Sequence, residues 1–127
     1  MNVSRMKLLL DSVILIDHFN GVQAATDFIG QHYPRSFISV ITRAEVLAGF
    51  EKKHLQQVTL FLDSFLNLAV EKKDADLAAQ LRRKYKWKLP DALQAAISNH
   101  HKLRLVTRNT KDFNPKKHEF VMIPYTL

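Results

Sequence analysis

Short, almost unbroken apolar runs alternate along the chain with stretches whose apolar positions recur at helical spacing. Lys7-Leu8-Leu9-Leu10 ends at Asp11-Ser12 and reads as a buried strand handing over to a helix near Val13–Phe19, with Gly21 closing that unit. A helical segment from Gln23 to Gln31 precedes the Tyr33-Pro34 breaker, and Phe37-Ile38-Ser39-Val40 reads as the second strand. Helix signals return at Thr42, and apolar positions continue at Val46, Leu47, Ala48 and Phe50. After a basic joint at Lys52-Lys53, a further periodic stretch spans His54 to Phe65.

Leu68-Ala69-Val70 is the expected third strand, and Asp74 to Tyr85 carries Leu77, Ala78 and Leu81 at helical spacing. Pro90 opens another helix that ends near His100-His101, and Leu105-Val106-Thr107 and Phe120-Val121-Met122-Ile123 supply the last strands. Parallel strands need crossover connections, so this alternation predicts an α/β fold with a mainly parallel sheet between helical layers.

Composition narrows the chemistry. The 127 residues, 46% hydrophobic, suffice for one core, and residues 1–127 are expected to form a single domain without repeats or linkers. Asp11 and Asp17 interrupt the N-terminal apolar runs, and Met1–Lys7 carries no leader pattern, so neither a membrane span nor a secretory signal is expected. A cytoplasmic location follows. With no cysteine, thiolate metal sites are excluded and any metal takes oxygen or imidazole ligands. The excess of 19 Lys and Arg over 12 Asp and Glu gives a formal charge of +7, which suits a polyanionic partner.

In an open parallel sheet, ligands bind beyond the carboxyl ends of the strands. Asp11 is expected there, although the same residue suits a helix cap. Glu45 completes Thr42-Arg43-Ala44-Glu45, the pattern of a capping box, but also lies one helical turn after Ile41, where its carboxylate can face the sheet end. Asp91 follows Pro90 in a first helical turn, where a negative side chain is favoured whatever its use. Asn109 and Asp112 leave the strand at Leu105–Thr107 in another such loop, and both also suit turns. Each acid has a local explanation, whereas their shared topological position predicts a cluster whose mutual repulsion a cation would relieve. Oxygen ligands favour Mg²⁺ or Mn²⁺ over zinc.

Four segments also carry a family resemblance. They are Leu9-Leu10-Asp11-Ser12-Val13-Ile14-Leu15-Ile16-Asp17, Ser39-Val40-Ile41-Thr42-Arg43-Ala44-Glu45-Val46-Leu47-Ala48-Gly49, Leu89-Pro90-Asp91-Ala92-Leu93-Gln94-Ala95-Ala96 and Leu105-Val106-Thr107-Arg108-Asn109-Thr110-Lys111-Asp112-Phe113. In this order they resemble the signature blocks of PIN-domain ribonucleases, most closely the VapC toxin group. The resemblance implies a PIN-like three-layer α/β/α sandwich, an acidic Mg²⁺ or Mn²⁺ site at Asp11, Glu45 and Asp91, and endonucleolytic cleavage of RNA. It places the fourth acidic position in the last block, at Asn109 or Asp112. Val13 stands where members of the group often have Asn or Ser. A cognate antitoxin and a homodimer are implied as well.

Arg82, Arg83, Lys84, Lys86 and Lys88 interleave with Tyr85 and Trp87, a composition for phosphate contact and base stacking or, equally, a basic helix end with its aromatics turned into the core or into a dimer interface. His54, His100 and His101 lack paired metal spacing and read as surface or helix-end residues. The alternative function is a non-catalytic RNA-binding or protein-interaction module on the same fold. A phosphoryl-accepting domain fits less well, because paired acids are missing at the first strand end.

Overall fold

The computed structural model describes residues 6–127; the leader reading at Met1–Lys7 falls mostly outside that range. Its strands are β1 (Leu8–Leu10), β2 (Ser36–Ser39), β3 (Leu66–Leu68), β4 (Arg104–Val106) and β5 (Val121–Met122). The helices are α1 (Ser12–Phe19), α2 (Gln23–His32), α3 (Val40–Ala48), α4 (Leu55–Asp63), α5 (Lys72–Tyr85) and α6 (Leu89–His101), with 3₁₀ turns at Tyr33–Arg35 and Lys52–His54. Among the described residues, no helix is long and apolar enough to cross a membrane.

All strand pairings are parallel, in the order β3-β2-β1-β4-β5. The chain steps from β1 to β2 on one side and later to β4 on the other, which opens a crevice at the carboxyl end of β1. Successive strand residues face opposite layers. Leu8, Leu10, Ile38 and Val106 therefore pack with Ile14, Leu15, Phe28, Val46 and Leu62 of α1 to α4, while Leu9, Leu105 and Val121 pack with Ala78 of α5 and Ala92, Ala96 and Ile97 of α6. This is the expected three-layer α/β/α sandwich. Leu8, Leu9 and Leu10 are all buried because β1 is covered on both faces.

The last two strands lie at Arg104–Val106 and Val121–Met122 instead of Leu105–Thr107 and Phe120–Ile123, and the second and third strands also differ from their expected bounds. The second strand ends at Ser39 and Val40 already belongs to α3, because Ser39 adopts extended backbone and its hydroxyl accepts the Thr42 amide at 3.1 Å. The third strand is Leu66–Leu68, not Leu68–Val70. Pairing with β2 sets it, Phe37 opposite Leu66 and Ser39 opposite Leu68, whereas Ala69 and Val70 lead towards α5.

Candidate active site

The early start of α3 removes the capping box expected at Thr42 and Glu45. Ser39 is the cap, so Glu45 lies in the second turn and is not committed to helix-start amides. Thr42 is buried and its hydroxyl donates to the Leu10 carbonyl at 3.2 Å, tying α3 to the end of β1.

Asp11 does cap its helix. Its Oδ1 accepts the Ser12 amide at 2.8 Å and the Gln94 side-chain amide at 3.3 Å, and its Oδ2 accepts the Thr107 hydroxyl at 2.7 Å. The residue is 7% exposed, and its backbone amide continues the ladder to Val106 at 2.9 Å. Asp11 is thus fixed from α1, α6 and the end of β4 at once.

Gln94 organises the surroundings. It is 1% exposed; its Oε1 accepts the Ser39 hydroxyl at 2.6 Å, and its Nε2 donates to Thr42 Oγ1 at 2.7 Å as well as to Asp11. One amide so joins the carboxyl ends of β1 and β2 to α6. Gln94 lies three residues after Asp91, on the same helical face.

Asp91 sits in the first turn of α6, behind Pro90. Burial pushes its carboxyl up to about 6, the charges of Asp11, Asp112 and Glu45 push the same way, and Lys88 opposes them. The four predicted acids thus share one electrostatic environment. Glu45 is raised as well, first by partial loss of water around its carboxyl and then by the Asp11 charge, against a hydrogen bond from Ser12.

The cluster is nonetheless open. Among the described residues, the one trio of acidic or imidazole side chains with all donor atoms within 4.8 Å lies elsewhere, at Glu71, His100 and His101. Among the described residues, no three of the acids at the strand ends meet that spacing.

In the last loop, Asn109 Nδ2 donates to Asp112 Oδ2 at 3.1 Å and Asn109 Oδ1 accepts the Asp112 amide at 3.3 Å. The two side chains thus hold one another, and Asp112 contributes charge felt at Asp91. The preceding Arg108 clamps the loop onto α1 through Nε and Nη2 bonds of 2.6 and 3.0 Å to buried Asp17, which also accepts Tyr125 Oη at 2.9 Å. Burial alone would raise the Asp17 carboxyl, but the hydrogen bonds from Arg108 and Tyr125 and the Arg108 charge hold it below the usual carboxylate range.

Of the interleaved basic and aromatic residues, Trp87 is turned inward. It is buried against Phe113 and donates Nε1 to the Asp112 carbonyl at 3.0 Å. Tyr85 stacks over it at 4.5 Å and keeps an exposed edge. Beside them a groove of about 420 Å³ runs past Lys111, Lys117 and His118 to Asp112.

The PIN domain family model matches residues 8–117. The chain belongs to the PIN domain family. Among solved structures, this PIN domain is 38% identical to a chain of a toxin–antitoxin complex from Klebsiella pneumoniae, covering 95% of the present chain and all of that one, with a TM-score of 0.88. It shares the fold of a chain of FitAcB from Neisseria gonorrhoeae (22% identity, 94% and 99% coverage, TM-score 0.77). A chain of VapBC2 from Rickettsia felis, solved with a promoter DNA fragment, also has this fold (22%, 92% and 96%, TM-score 0.73). The PIN-domain resemblance read in the four blocks is thus found here. No curated protein matches the sequence closely.

In this PIN domain, sequence reasoning missed the polar frame of Ser12, Ser39, Thr42, Gln94 and Thr107 around the acids. The available signal was position: Thr107 directly follows an apolar strand run, Ser12 follows Asp11 at the end of another, and Gln94 shares a helical face with Asp91.

A stability prediction follows from Asp91 whatever the site does. Its folded carboxyl binds a proton more tightly than the unfolded one, so its contribution to stability is present below about 3.8 and is lost as pH rises through about 6. Asp91→Asn should therefore stabilise the metal-free protein at pH 7.5, by on the order of 1 kcal/mol after allowing for partial exposure. Thermal melts in chelator at pH 7.5 and pH 4 should show the gain at the first pH and little at the second.

Proposed function

We propose that this PIN domain is a Mg²⁺-dependent endoribonuclease, with residues 1–127 acting as one domain, and that it is the toxin of a toxin–antitoxin pair. The observation that carries this reading is the convergence of four carboxyl groups, from Asp11, Glu45, Asp91 and Asp112, on the crevice at the end of β1, felt as the upward push on Asp91.

The donor set fits Mg²⁺ or Mn²⁺: every donor is a hard oxygen, and burial with mutual repulsion leaves the group short of positive charge. Mg²⁺ keeps several waters and takes one or two protein carboxylates beside phosphate oxygens, so it does not need all four acids as direct ligands. When bound, such an ion supplies a more acidic water and offsets charge growing on the phosphate. Asp11, immobilised by three donors, sets the position of the site. Asp91 and Glu45 complete it from α6 and α3. Glu45, held by Ser12 and pushed upward, is suited to accept a proton from the attacking water. Asp112 is the fourth corner and Asn109 its support, because Asp112 carries the charge felt at Asp91 and Asn109 bonds both its amide and its carboxylate.

The substrate reading is supported by the +7 charge and by the groove that carries Tyr85, Lys111 and Lys117 to Asp112, where a stacked base and two phosphate contacts fit a single strand. The antitoxin partner is supported by the 38% identity to a chain of a toxin–antitoxin complex; a homodimer and a cytoplasmic setting complete the reading.

The test is incubation of the purified protein with a total RNA pool. New ends should arise with Mg²⁺ or Mn²⁺ and vanish with chelator. RNA that is retained by the protein but left intact under both conditions would establish the binding module instead.

A further inference from the structure

The donor trio lies on the other end of α6. The last turn of α6 carries His100 and His101, and α5, which packs alongside it, begins behind Glu71 with Asp74 in its first turn. Nine residues of helix separate His100 from Asp91, about 14 Å at the ordinary rise, so this cluster is distinct from the acidic crevice.

Asp74 is 1% exposed. Its Oδ2 accepts the Glu71 backbone amide at 2.9 Å, which fixes the carboxylate, and its Oδ1 stands 2.9 Å from His100 Nδ1. A carboxylate only accepts, so Nδ1 carries a proton and Nε2 is the ring nitrogen left to a ligand. That is the arrangement in which a carboxylate orients a metal-binding imidazole. Nε2 then faces Glu71 Oε2 at 3.5 Å. Zinc bonds of about 2.0 to 2.2 Å to nitrogen and oxygen place neighbouring tetrahedral ligands about 3.4 Å apart, so these two atoms already define one edge of such a site. His101 stacks on His100 with ring centroids at 4.0 Å, and the donors of all three residues lie within 4.8 Å of one another. Glu71 and His101 are exposed, and Glu71, whose carboxylate also accepts the Asp74 amide in the capping box of α5, keeps a second oxygen for an ion.

We propose that Glu71, His100 and His101 form a zinc site, with Asp74 orienting His100 and a fourth position left to water. Two nitrogens and one carboxylate oxygen suit Zn²⁺ and not Mg²⁺, which separates this site chemically from the acidic one. The ion fastens the start of α5 to the end of α6.

The test is titration of the full chain with Zn²⁺ by calorimetry and with Co²⁺ by visible absorption, comparing wild type with His101→Ala, Glu71→Gln and Asp11→Asn. His101 is exposed, and Glu71→Gln keeps an oxygen to accept the amide that Glu71 caps at the start of α5, so both variants retain the fold. The expected result is an intense four-coordinate Co²⁺ band, with Zn²⁺ affinity reduced at least about tenfold in His101→Ala and in Glu71→Gln and unchanged in Asp11→Asn. Failure of the wild type to bind Zn²⁺, equal binding by His101→Ala, or loss of binding in Asp11→Asn alone would each overturn the site. The outcome is independent of whether RNA is cleaved.

Discussion

Asp11→Asn is expected to lower Mg²⁺-dependent RNA cleavage by at least about a hundredfold while leaving the fold intact. Loss of an outer partner to a metal ligand commonly costs ten- to a hundredfold, and a ligand held by three donors at the crevice counts for no less. The choice of asparagine matters, because Asp11 has two duties. Its Oδ1 caps α1 through the Ser12 amide, and asparagine caps as well as aspartate does. Its Oδ2 accepts from Thr107, whose oxygen already receives the Asn109 amide at 3.1 Å and can receive a side-chain amide in turn. Alanine would remove the cap and strand Gln94 and Thr107 in a buried setting, so lost activity would be confounded with lost stability. Cleavage of a defined RNA, beside a denaturant melt of the same variant, separates the two effects. Cleavage at the wild-type rate in a preparation free of other nucleases would sink the proposed metal site.

The same double duty explains how far the site was legible in the sequence. Asp11 reads as a cap and is one; its second role shows only when β4 lies beside β1 and brings Thr107 to it. The central strands were legible because Leu8–Leu10 and Leu105–Val106 are covered on both faces and so are written as unbroken apolar runs. The boundary at Ser39 was not, since Val40 extends the apolar run by one residue although it starts α3. Edge strand β3 was misplaced for a related reason: Leu66, Leu68, Ala69 and Val70 are all apolar, and only register against Phe37 and Ser39 selects among them. Trp87 was divided between stacking surface and core until Asp112 and Phe113 packed against it. The Glu71–His100 pairing joins residues 29 apart in sequence, so no local spacing announces it.

Gln94 was the least legible and carries the second large expectation. In sequence it is one polar residue in an alanine-rich helix; in the fold it is buried and serves Ser39, Thr42 and Asp11. Gln94→Ala removes the side chain from a closed site and leaves two buried hydroxyls short of a partner. The cavity and the unmade bonds together should cost roughly 3 to 5 kcal/mol, a large part of the 5 to 15 kcal/mol that ordinarily holds a domain together. Gln94→Met separates the contributions, since it restores most of the volume without the bonds and should recover about half the loss. Urea unfolding of the three proteins measures this directly, and a loss below about 1 kcal/mol in the alanine variant would remove Gln94 from the frame of the site. Cleavage should fall with both substitutions, because Asp11 loses the donor from α6 in each. A methionine variant that regains stability but not activity would assign Gln94 to positioning the Asp11 carboxylate rather than to holding the core.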